Sequence, residues 1–388
     1  MRHARRRGRI VRWGARLLAV GVALGAALLA AEWLLPEPAL LQGAIWRQAR
    51  GSIEEHAPGR LRPKAHFTGV QTVGGGRQHV RHNALGMRGP EVGPRQPGEV
   101  RVLFVGDSIT YGTGVQEDET FALRLAGPLG AALGRRVTTG ISACPGFGVR
   151  DHADLLARVQ DAFAPDLVVA CVFVENDLYD DLQLERGVFA GYPVFQAPQV
   201  RLLRASWRAR LAVRSNVAFA LERLLAAHWP ALAMDLSGAA LRPEEAALWE
   251  GVAPDQSVLF LEQVDAPPAL HRMLDRTRAA LADLRARAGD AALAVVVVPS
   301  YVQYLPGLFD HLAAQRSHEG EHRCGTIQAR LLALCAELGL PAFDLLPPLR
   351  AAPDPAALLI ANDFHFTPRG HETVAALLAP WLAELLRR

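Results

Sequence analysis

From Arg101 to the C-terminus, short unbroken apolar runs alternate with stretches of helical period. RVLFVGDS (101–108), DLVVACVFVEND (166–177) and LAVVVVPS (293–300) each hold an unbroken apolar run and end in Gly, Pro or Asp-containing turns. VTTGIS (137–142) and LPAFDLL (340–346) are shorter runs of the same kind. Uninterrupted apolar runs of this length read as strands buried on both faces. Between them, 119–133, 152–163, 271–288, 322–338 and 368–387 carry the spacing of helices. Strands that alternate with helices predict an α/β fold with a parallel, doubly wound sheet. In such a fold ligands sit at the carboxyl ends of the strands.

Two stretches break this rhythm. Residues 36–100 are rich in Gly and Pro with short alternating pieces, and predict hairpins and turns in a neck segment. Residues 178–270 form a helical insertion in the 101–388 domain. Within it, 201–229 has the period of one long amphipathic helix with a basic face. Such a helix either caps the sheet, as a space-filling element or a lid, or lies on anionic lipid.

The N-terminus has a different character. Seven arginines and no acid occupy residues 1–16, and an uncharged apolar run follows, extended through Trp33, Leu34 and Leu35. With its flanks, the 17–35 segment approaches the roughly 20 residues that span a bilayer. It predicts a single-pass signal anchor with a cytoplasmic basic segment at 1–16 and the remainder outside the inner membrane, in the periplasm. A cleaved signal peptide is the rival reading, with Ala30 and Ala31 as small residues for a peptidase. A buried core helix leaves the arginine cluster without a role.

Those arginines also change the meaning of the net charge of +3. Without them, 35 basic residues face 39 acids, so the rest of the chain is mildly acidic. That argues against a nucleic-acid partner, which requires a basic folded face. Four cysteines (144, 171, 324 and 335) lack the spacing of a metal site, and neither a metal nor a cofactor is expected. Cys324 and Cys335, placed on one helix, are about 16 Å apart at 1.5 Å per residue, too far to bridge.

Candidate chemistry gathers at the strand ends. Ser108, in Gly106-Asp107-Ser108, follows the first apolar run and is a candidate nucleophile, or alternatively a helix cap. Serine needs a base, and Asp363-Phe364-His365 offers one near the other end of the chain. His365 can accept the serine proton, and Asp363 can orient the ring. Acyl transfer also needs oxyanion donors. The Ser108 and Gly146 N–H groups and the Asn176 amide stand at ends of the first, second and third strands. His371, inside the last helix, reads as a packing or capping residue.

Four blocks in this order resemble the GDSL/SGNH hydrolases. The resemblance is carried by FVGDSITYGTGV (104–115), PGFG (145–148), END (175–177) and DFHFTPRGH (363–371). RHNALGMRGPE (81–91) is similar to the lead-in of membrane-tethered bacterial members. The resemblance implies a flavodoxin-like three-layer sandwich with a five-stranded parallel sheet. It also implies Ser108, His365 and Asp363 as catalytic residues, with Ser108, Gly146 and Asn176 as oxyanion donors. Two places depart from the family pattern. Val174 and Glu175 stand where a glycine is usual before Asn176. The acid lies two residues before His365, with Asn362 in the three-before position. The implied activity is hydrolysis of a small-molecule or glycan ester through an acyl-enzyme. Two alternatives stay open: an O-acyltransferase acting on an extracytoplasmic glycan, and a non-enzymatic tethered glycan-binding protein with a vestigial site.

Overall fold

The computed structural model describes residues 19–34, 50–229, 232, 241–253 and 255–388. The chain divides into two compact bodies. The larger body holds the expected sheet. Its strands are β1 (Val100–Gly106), β2 (Val137–Ala143), β3 (Leu167–Phe173), β4 (Ala292–Val298) and β5 (Ala342–Asp344). All are parallel, in the order β5-β4-β3-β1-β2. Read from the other edge this is 2-1-3-4-5, the flavodoxin-like order, with a switch point between β1 and β3.

Successive residues of each strand point to opposite faces, and each face has its own core. On β1, Leu103 and Val105 enter one apolar cluster, while Val102 and Phe104 enter the other. On β3, Val168, Ala170 and Val172 face the first cluster, and Val169, Cys171 and Phe173 the second. Helices Val149–Phe163, Pro268–Ala288 and Thr326–Glu337 bury their apolar stripes in the first cluster; Phe121–Arg124, Ala126–Leu133 and Pro368–Leu385 bury theirs in the second. A sheet covered on both faces explains why β1 and β3 are buried at every position, and so why they read as unbroken apolar runs.

The neck contributes two antiparallel hairpins, Ile53–Ala57 with Arg60–Pro63 and Thr68–Val73 with Gly76–Arg81. Arg88, just beyond them, is fully buried. Its guanidinium donates to the carbonyls of Tyr111 (2.6 Å), Gly112 (2.5 Å) and Val115 (2.6 Å), the segment that follows Ser108.

The smaller body comprises a helix at 19–34 and the segment from Gln196 onward. Residues 1–16, and 17, 18 and 35 of the 17–35 segment, lie outside the described residues. Among the described residues, no helix is long and apolar enough to cross a membrane. The expected single helix at 201–229 is three: Ala197–Ala205, Trp207–Arg214 and Asn216–His228. Ser206 and Ser215 stand between them with extended backbones, each accepting from the N–H three residues on (3.2 and 3.1 Å). Two serine caps thus override a continuous apolar period. The 178–270 insertion is itself divided. Residues up to Phe195 and from Leu241 pack with the sheet, and only the middle joins the smaller body.

Candidate active site

Ser108 sits two residues beyond β1, as the first residue of a one-turn helix, Ser108–Tyr111. N–H groups in a first turn have no intrahelical partner, which leaves them for a ligand. Asp107 caps this turn: its Oδ1 accepts the Ile109 N–H (2.9 Å), and its Oδ2 accepts the Ser108 hydroxyl (3.3 Å). Gly106 is required by space, because a Cβ there would lie 2.2 Å from the Thr110 hydroxyl oxygen. Burial pushes Asp107 up to about 6, although the His365 charge and the Ile109 and Thr110 N–H groups pull it down.

His365 lies in the loop that follows Ala356–Leu358. Its carbonyl accepts the Ile360 N–H (2.9 Å), and Leu359 bridges to Phe366, closing a tight turn. Asn362 takes the left-handed conformation at φ 59°, a place where Asn is tolerated. Asp363 Oδ1 meets both the His365 backbone N–H (2.9 Å) and its ring Nδ1 (2.5 Å). Burial alone would raise the Asp363 carboxyl; the bond to His365 and the imidazole charge outweigh it and hold it low. The ring is buried and lies against Phe364, 4.4 Å between centroids. The Ser108 hydroxyl donates to Asp107, so it must leave that carboxylate before its proton can pass to a base.

Gly146 follows β2 in a turn at φ 75°, and a Cβ there would sit 2.9 Å from the Phe195 ring. Only glycine meets both demands. Asn176 follows β3. Its Nδ2 donates to the Asp180 carboxylate at 2.6 Å, which orients the amide and leaves its second N–H for another acceptor. Among the described residues its Oδ1 is buried without a hydrogen-bond partner. Among the described residues Glu175 joins no ion pair; it is half-buried, and desolvation raises its carboxyl.

Several residues were not singled out from the sequence. Asp180 and Asp181 are each pushed up to about 7 by burial, opposed by Arg186 and their own hydrogen bonds. Arg186 is buried between the Phe147 and Phe195 rings, pairs with Asp151 (2.6 Å) and donates to the Asp180 carbonyl (3.0 Å). The DLYDD run (177–181) showed acids at i, i+3 and i+4, but spacing alone does not say that they point inward. His371 is a buried acceptor: its Nδ1 takes the Phe121 N–H (3.2 Å), and burial lowers it to about 3. All four cysteines are free, and Cys324 stands just before the helix that carries Cys335, instead of on it. A cavity of about 550 Å³ adjoins Asp363, lined chiefly by Tyr301, Leu305, Leu359, Ile360 and Phe364.

No curated protein matches the sequence. Similar solved structures include a lipase/acylhydrolase from Enterococcus faecalis, 15% identical, covering 74% of this chain and 96% of its own, at a TM-score of 0.34. The lipase Lip_vut3 from a goat rumen metagenome is 13% identical, with coverages of 72% and 96% and a TM-score of 0.39. The psychrotrophic esterase EstA from Pseudoalteromonas sp. is 9% identical, with coverages of 74% and 99% and a TM-score of 0.36. Residues 104–373 match the GDSL-like Lipase/Acylhydrolase family, a span that takes in the end of β1, the other four strands and every candidate site residue. The chain belongs to that family and is an ester-hydrolysing enzyme.

Proposed function

We propose that the protein is a serine esterase in which Ser108 is the nucleophile, His365 the general base and Asp363 its orienting acid. The observation that carries this reading is the 2.5 Å contact between His365 Nδ1 and Asp363, which gives the buried imidazole an orienting acid. Asp363 fixes the tautomer with the proton on Nδ1, so Nε2 is the basic nitrogen. Ser108 Oγ attacks the ester carbon as its proton passes to Nε2. The carbonyl electrons move onto oxygen, which the Ser108 and Gly146 N–H groups and the Asn176 amide stabilise. The C–O bond to the alcohol then breaks, and the imidazolium returns the proton to the departing alkoxide. Water, deprotonated by the same imidazole, attacks the acyl-enzyme and regenerates the serine.

The apolar lining of the 550 Å³ cavity beside Asp363 supports an acyl or acetyl ester carrying an apolar portion, of a small molecule or a carbohydrate. The arginine-rich 1–16 segment and the apolar 17–35 segment support attachment to the inner membrane, with the hydrolase body on the periplasmic side. The test is a panel of p-nitrophenyl esters from acetate to decanoate, run on the purified chain beside Ser108→Ala. A loss of turnover of roughly a thousandfold or more marks a nucleophile. Equal rates in the two proteins would end the proposal.

A further inference from the structure

The strongest feature outside the site lies in the smaller body. Helices Trp207–Arg214 and Asn216–His228 pack on one another and bury Ala209, Ala212, Val213 and Phe219. Each also shows apolar residues on another face. Trp207, Leu211, Leu221, Leu224 and Trp229 are between 46% and 66% exposed. Trp207 and Leu211 are four apart, and Leu221 and Leu224 three apart, so each pair stands on one stripe of its helix. Scattered exposed leucines are ordinary; two stripes with a tryptophan at the start of one helix and another just past the end of the next mark a binding face.

The charge around that face identifies its occupant. Residues 197–229 carry six arginines and one acid, Glu222, which pairs with Arg208 (2.7 Å). Arg204, Arg210, Arg214 and Arg223 are exposed. A strongly basic rim around an apolar, Trp-bearing centre matches the phosphates and acyl boundary of an anionic bilayer. A second copy of the chain would bring arginine against arginine.

The helix pair is also tied to the 19–34 helix. The Glu32 carboxylate accepts the Ser215 hydroxyl (2.8 Å), the Asn216 N–H (2.6 Å) and the Val217 N–H (3.2 Å), occupying the first turn of Asn216–His228. Helix 19–34 is itself apolar and exposed at Val20, Val22, Leu24, Leu28 and Leu29. We infer that the Trp207–Trp229 helical pair is a docking surface for an anionic lipid bilayer. Its Trp and Leu stripes enter the headgroup–acyl boundary, and its arginines meet lipid phosphates. This inference does not depend on the serine chemistry.

The test uses the full chain mixed with vesicles of phosphatidylcholine, or of phosphatidylcholine and phosphatidylglycerol at about 7:3. An environment-sensitive NBD probe is placed at Leu211→Cys or Leu224→Cys, with Glu244→Cys as an exposed control and the parent chain as labelling background. Docking gives a blue shift and a several-fold rise in emission at 211 and 224 with the anionic vesicles, quenched by a shallow doxyl lipid, with 244 unchanged. Arg214→Glu with Arg223→Glu reverses two charges, and at about fivefold per arginine weakens docking roughly 25-fold or more. Flotation of the chain with both vesicle types reads anchoring alone; composition-dependent, charge-sensitive quenching reads docking. Probes that stay in water with the anionic vesicles overturn the inference. So does shielding without doxyl quenching, which means that protein covers the face. So does equal quenching in both compositions with no effect of charge reversal.

Discussion

The bond from Asn176 Nδ2 to Asp180 gives a sharp prediction about turnover. If the Asn176 amide is an oxyanion donor, Asp180 is its positioning residue, because the 2.6 Å contact decides where the second N–H points. Asp180→Ala removes an acceptor whose charge-assisted bond is worth about 1.5–3 kcal/mol. At about 1.36 kcal/mol per tenfold, kcat falls roughly 10- to 150-fold with KM nearly unchanged. The ceiling is Asn176→Ala, which deletes the donor and costs roughly 10²–10³-fold. The two losses must not multiply: in an Asn176→Ala background, Asp180→Ala has nothing left to position. Asp180→Asn keeps an acceptor oxygen without the charge and restores most of the turnover. It also changes the pH profile. Burial, first, and the neighbouring Asp107 and Asp151 raise Asp180 to about 7, against Arg186 and the Asn176 bond. The anion that grips the amide is therefore present above about 7 and lost below it. A protonated Asp180 still offers a carbonyl oxygen to the amide, so wild-type kcat declines only modestly on that acid limb, and Asp180→Asn removes the decline. The assay is kcat and KM on a p-nitrophenyl ester for wild type and the four variants between pH 5 and 9. Asp180→Ala within twofold of wild type, or a double variant whose loss is the product of the two singles, refutes the reasoning.

Two further predictions concern the frame around the serine. Arg88→Ala orphans three buried carbonyls behind the Ser108 turn and leaves a void, so unfolding in urea shows a loss of about 3–5 kcal/mol, and activity falls with it. Arg88→Lys, a point charge in place of a fork, recovers only part of that stability. Gly146→Ala strains a φ of 75° and drives a methyl into the Phe195 ring, so kcat drops roughly 10²-fold or more as the N–H is displaced. Phe195→Ala in the same chain relieves the contact but not the backbone strain, so rescue measured by kcat is partial.

Much of the larger body was legible along the chain. Its sheet strands are covered on both faces, so burial shows as unbroken apolar runs, and the turns that end them hold Ser108, Gly146 and Asn176. The resemblance of four short blocks supplied the five-stranded fold. What no local pattern held was spatial order and direction. The 2-1-3-4-5 arrangement follows from which strand ladders with which, and only the folded chain brings the Phe121 N–H to the His371 ring, 250 residues away. Asp107 and Asp180 look like ordinary surface acids until the fold removes their water. Desolvation then raises both, and gives one to the Ser108 hydroxyl and the other to the Asn176 amide. Arg88 likewise sits in a turn-rich neck, yet its guanidinium donates to three carbonyls it meets only in the folded chain. At 201–229 the reverse occurred: the apolar period was read as one helix, although Ser206 and Ser215 already carried the breaks. Periodicity reports which face is apolar, whereas a cap is a single hydrogen bond whose formation depends on where the backbone turns.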